Sequence, residues 1–136
     1  FAQFNLGYLY DHGHGVTQDY AKARHFYERA AEQGHAVAQF NLGYLYDQGL
    51  GVTQDYAKAR HFYELAADQG NAFAQFNLGY LYDHGHGVTQ DYAKARHFYE
   101  LAADQGNAFA QFNLGNLYDH GLGGTQDYSK ARHFYE

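Results

Sequence analysis

The chain has 136 residues with no Cys, Met, Pro or Trp, 15 Tyr, 11 Phe and 10 His, and its 15 Asp or Glu against 9 Lys or Arg give a formal charge of -6. That acidic balance, with the basic residues spread evenly, excludes a nucleic-acid-binding face, and the missing Cys excludes disulfides and Cys metal sites. No apolar run approaches the roughly 18 residues of a membrane span. No signal peptide opens the chain, and a first residue of Phe rather than Met reads as a processed product or an excerpt, so localisation stays open. Charging the histidines below about pH 6 to 6.5 reverses the sign of the net charge, and solubility is expected to be poorest near the pI of 5.9.

The stretch Ala38-Gln-Phe-Asn-Leu-Gly-Tyr-Leu-Tyr46 recurs as Ala2 to Tyr10, Ala74 to Tyr82 and, with one change, Ala110 to Tyr118, a step of 36 residues. A fixed period of this length is the signature of a repeat array in which each unit buries its apolar face on its neighbours. The expectation is one array of copies 1–36, 37–72 and 73–108 with an incomplete 109–136. In copy three, Ala74, Leu78, Leu81 and Tyr82 form one helical stripe. Asn71 caps that helix, and His35 is the weaker equivalent one copy earlier. Gly79, inside the helix, costs about 1 kcal/mol by propensity, which predicts the close approach of another backbone. Gly85 and Gly87 turn the loop from Asp83 to Asp91. Asp91, with Thr89 as competitor, caps a second helix carrying Tyr92, Ala95, Tyr99, Ala102 and Ala103 on one face and Lys94, Arg96, His97 and Glu100 largely on the other. Gly106 ends it. Neither helix is expected to reach the roughly 12 to 15 residues at which an isolated helix becomes marginal, so stacking must hold the array.

Differences between copies are few. Val37, Gln48 and Leu50 stand where copy three has Phe73, His84 and His86, and copy four has Asn116, Gly124 and Ser129 for Tyr80, Val88 and Ala93. Losing the valine should loosen the last loop. Copy four breaks off at Glu136 within its second helix, leaving its apolar face uncovered, and the open ends at Phe1 and Glu136 predict end-to-end self-association.

The letters Ala38-Gln39, Leu42-Gly43, Tyr46, Gly49, Gly51-Val52, Gln54-Asp55-Tyr56, Lys58-Ala59, Tyr63, Ala66-Ala67 and Gln69-Gly70 resemble the Sel-one-like repeat, a relative of the tetratricopeptide repeat. The match covers the whole chain. It departs from the family at Thr53, where Pro is frequent, and at Phe62, where Trp is frequent, and it lacks the cysteines of the disulfide-stapled branch. The resemblance implies an all-α fold, a right-handed α/α superhelix (solenoid) of antiparallel helical hairpins, acting as an adaptor scaffold whose first helices line the concave face.

At 100° per residue, the face opposite the buried stripe carries Val37, Phe40, Tyr44, Asp47 and Gln48 in copy two. Copy three repeats it as Phe73, Phe76, Tyr80, Asp83 and His84, copy one as Phe1, Phe4, Tyr8, Asp11 and His12, and Phe112 and Asn116 hold the same places in copy four. A row of rings bordered by carboxylates suits a peptide or protein segment with apolar anchors and a basic residue. Phe40 and Phe76 are equally suited to packing between copies. An alternative places a first-row metal on the loop histidines His12, His14, His84 and His86; a plain structural spacer is another. His25, His61, His97 and His133 read as a solvated ladder beside arginines and glutamates. Catalysis has no support: the only Ser is Ser129, and no phosphate-cradling loop is present. No cofactor is expected.

Overall fold

The computed structural model describes residues 2–13 and 17–124. Among these there are seven helices and no strand: α1 (Ala2–His12), α2 (Tyr20–Glu32), α3 (Ala36–Gln48), α4 (Tyr56–Asp68), α5 (Ala72–His84), α6 (Tyr92–Asp104) and α7 (Ala108–Asp119). The second helix expected in copy four, the chain ends at Phe1 and Glu136, Ser129, His133 and His14 lie outside the described residues. The chain divides into two compact units, Phe1–Gln69 and Gly70–Glu136. The first holds the hairpins α1–α2 and α3–α4, the second the hairpin α5–α6 followed by α7.

Helix starts follow their caps. Asp19, Asp55 and Asp91 sit in extended backbone and accept from the amide three residues on, so the aspartate rather than Thr89 caps α6. Asn71 accepts from the Ala74 amide at 2.9 Å, whereas His35 accepts from Ala38 at 3.3 Å, the longer bond expected of the poorer cap. Gly49 and Gly85 close α3 and α5 in the left-handed conformation at φ 69° and 68°. With both ends capped, α2 to α6 each run 13 residues, longer than the sequence suggested. That length alone is still marginal without tertiary packing.

The core of each hairpin repeats as well. Ala38, Leu42 and Leu45 in the first unit, and Ala74, Leu78 and Leu81 in the second, are essentially inaccessible, together with Tyr27, Tyr63 and Tyr99. The helical glycine exists for that tyrosine. A Cβ on Gly43 would stand 2.8 Å from the Tyr63 ring, and one on Gly79 2.6 Å from the Tyr99 ring. The close neighbour is thus an aromatic face rather than the second backbone expected, with a backbone oxygen coming next at Gly43, where the Ala59 carbonyl would be 3.2 Å away.

Two polar devices fix the register. Tyr27 donates to Asp11 at 2.8 Å and Tyr99 to Asp83 at 2.9 Å, and Asn113 of α7 reaches the Tyr99 hydroxyl at 3.4 Å, so one phenol joins three helices. The buried Gln39 accepts from Gln69 at 2.7 Å and donates to the Ala31 carbonyl at 3.2 Å, adding a second donor to a carbonyl that already takes the Gly34 amide at the end of α2. In the second unit Gln105 donates to Gln75 at 2.9 Å, and Gln111 donates to the Ala103 carbonyl at 3.3 Å. The Ala-Gln and Gln-Gly letters of the repeat are therefore hydrogen-bonding positions.

Candidate functional site: the outward face of the first helices

On α3, Val37 and Tyr44 are exposed and Phe40 is half-buried. Phe40 lies against the Tyr63 ring with centroids 5.8 Å apart. On α5, Phe73 and Tyr80 are exposed, and Phe76 is half-buried between Tyr99 at 5.8 Å and Phe109 of α7 at 5.9 Å. Phe40 and Phe76 therefore rest on the tyrosine of their own hairpin, and Phe76 on the next copy as well. The most exposed rings stand one turn earlier in the helix: Phe73 at 58% and Phe109 at 68%, with Phe112 of α7 at 58%. Phe109 was not singled out from the sequence, although it occupies the position of Val37 and Phe73. Asn116 is half-buried.

The carboxylates expected at the border have a structural task. Asp47 accepts from the Tyr63 hydroxyl at 2.8 Å, as Asp83 does from Tyr99. Burial, reinforced by this carboxylate, pushes the Tyr27 and Tyr99 hydroxyls far above their ordinary value. One Asp83 oxygen also lies 3.8 Å from His84 Nδ1. His84 stacks on Tyr80 at 4.0 Å and meets His86 edge-on at 5.7 Å, and in the first unit His12 stacks on Tyr8 at 3.9 Å. These histidines extend the aromatic row. Among the described residues no three His, Asp or Glu side chains gather in a way that would hold a metal ion.

The charge distribution is asymmetric. The sequences of α1, α3, α5 and α7 contain Asp11, Asp47, Asp83 and Asp119 but no Lys or Arg, while the basic residues of the described helices fall on α2, α4 and α6. The first-helix face is aromatic and acidic; the second-helix face is mixed. No described helix is long and apolar enough to cross a membrane.

A tandem array of helical hairpins, each closed by a glycine under a buried tyrosine, presenting rings from its first helices, defines a helical-repeat protein of the tetratricopeptide-like class. More specifically, the Sel1 repeat model matches residues 1–35, 36–71, 72–107 and 108–136, and the chain belongs to the Sel1 repeat family. Proteins of this family generally serve as protein-interaction scaffolds, and the fold is typically non-catalytic. Among solved structures, the chain is similar to a protective antigen present in uropathogenic Escherichia coli strains, with 42% identity, a TM-score of 0.97 and coverage of 98% of this chain and 29% of that one. It is also similar to a Sel1 repeat protein from Oxalobacter formigenes, with 40% identity, a TM-score of 0.91 and coverage of 98% and 55%. An immunity protein from Pseudomonas aeruginosa shares the fold at 24% identity and a TM-score of 0.62, over 98% of this chain and 65% of that one. The chain thus spans less than two thirds of the first two relatives. No curated protein sequence matches it.

Proposed function

We propose that this chain is a non-catalytic protein-interaction scaffold that takes a peptide or protein segment on the outward face of its first helices. The observation that carries the reading is the exposure of Phe73, Phe109 and Phe112 on neighbouring helices of one unit. Large rings that stay mostly exposed on one face are characteristic of interaction sites. Tyr44 in the first unit and Tyr80 in the second add rings that tolerate a half-wet groove. The segment that fits has apolar anchors, and a Lys or Arg in it can lie over one of these rings.

Crosslinking pull-downs with the wild type and the Tyr44→Ala, Tyr80→Ala double variant test the reading. Both side chains are exposed, so the variant should fold as the parent does, and captured partners should be lost or weakened. An unchanged capture profile with an intact fold overturns the proposal.

A further inference from the structure

The opposite side of the first unit carries a groove that the repeat's own packing does not use. Helices α2 and α4 both rest on α3, and between them lies a cavity of ≈ 620 Å³. Its floor is apolar, with Ala31, Leu42 and the ring of Tyr46, and the α4 side carries Phe62 and Leu65 together with Lys58 and His61, so the acidic edge is the α2 side alone. Leu42 is fully buried, whereas Leu65 remains 38% exposed. The Lys58 ammonium lies 5.3 Å from the Tyr46 ring centroid, held inside the groove by that ring.

The α2 rim is acidic in a way that the helix itself disfavours. Glu28 and Glu32 stand one turn apart, where like charges repel. Glu32 is the last residue of α2, at the negative end of the helix dipole. Glu28 is paired with Arg24 at 3.5 Å in a half-buried contact, whereas Glu32 is exposed. Arg29 shares the last turn of α2 but does not line the groove. An apolar trough with paired carboxylates along one edge is complementary to a helix that has an aliphatic stripe and a basic edge. We infer that this groove is a second docking surface, independent of the first-helix face, and that its occupant is a cationic amphipathic helix of a partner protein. The apolar stripe lies over Tyr46, Phe62 and Leu65, and Arg or Lys side chains meet Glu28 and Glu32.

The probe is a synthetic helical peptide of about four turns with a leucine stripe and an arginine edge, compared with the same peptide carrying glutamate on that edge. Binding to the full chain is followed by fluorescence anisotropy and by NMR shift mapping. The arginine peptide should bind with shifts centred on Tyr46, Phe62 and Leu65, more weakly as salt rises, and the glutamate peptide at least about tenfold more weakly. Leu65→Arg should lower affinity at least about tenfold, and copy one already carries Arg29 at the equivalent position, so the hairpin accommodates it. The surface pair Glu28→Gln, Glu32→Gln should act likewise without touching the core, while Tyr44→Ala should leave binding unchanged. Equal binding of both peptides, no binding at millimolar concentration, or loss of binding through Tyr44→Ala would each overturn the inference. So would light scattering that shows a second copy of the chain filling the groove.

Discussion

The two units are built from nearly the same letters, yet they diverge at the arginine of the second helix. Inside, the glycine, the tyrosine above it and the aspartate that accepts its hydroxyl recur with distances that differ by no more than 0.2 Å. Outside, Arg24 of the first unit pairs with Glu28 at 3.5 Å. Its counterpart Arg96 instead lies over the Tyr118 ring at 4.2 Å and donates to the Leu117 carbonyl at 3.3 Å, while Tyr118 donates to Glu100 at 2.7 Å. The cause is one residue: a Cβ on Gly124 would collide with the Arg96 guanidinium, so the glycine that replaces the repeat's valine opens the space that the arginine fills. The interior of the repeat is copied because it is overdetermined, and the arginine beside Gly124 is where the two units part.

The strongest way to break the shared interior is Gly43→Val or Gly79→Val. Each forces a branched side chain into the ring beneath it and should cost about 3 kcal/mol in denaturant unfolding. If the lock is common to both units, the two variants should be equally damaging.

Next in size is removal of the phenol hydroxyl. Tyr27→Phe in the first unit or Tyr99→Phe in the second leaves a half-buried carboxylate without its donor and should cost about 1 to 2 kcal/mol by the same measurement. The pH dependence has a definite sign. Both hydroxyls are raised from their ordinary value of 10.0, mainly by burial, so the folded state holds the neutral phenol. Their contribution is complete below pH 10.0 and is lost as pH rises beyond it, at up to about 1.4 kcal/mol per pH unit for each tyrosine. Alkaline unfolding should be less steep in either phenylalanine variant.

The difference between the units is probed more gently. Gly124→Val should displace Arg96 from Tyr118 and destabilise the second unit by about 0.5 to 1 kcal/mol, read by amide exchange in α6 and α7 with the first unit unaffected. The smallest effect belongs to the cap: His35→Asn, which installs the residue that serves α5 and α7, should stabilise α3 by about 0.5 kcal/mol. Part of that gain is offset by loss of the His35 ring stacked on Phe4 at 4.7 Å.

Much of this was legible in the chain. The period, the buried stripes and the caps at Asp91 and Asn71 follow from local rules that hold whatever the helices pack against. The role of Gly79 was legible only as a need for space, because its neighbour is the ring of Tyr99, 20 residues away in sequence. Asp47 and Asp83 looked like rim charges, since nothing local says that a phenol from the next helix reaches them. Phe40 could not be assigned to groove or core by angle alone, and its place on Tyr63 became visible only with the hairpin closed.

The sequence by itself determined the array, its helical hairpins and the two faces of every first helix, because periodicity and capping are properties of neighbouring residues. Only the tertiary structure decided which polar groups are consumed by the fold and which rings are left in water. It also decided where a trough opens between α2 and α4. Those outcomes depend on side chains that meet across helices, and no local pattern encodes that distance.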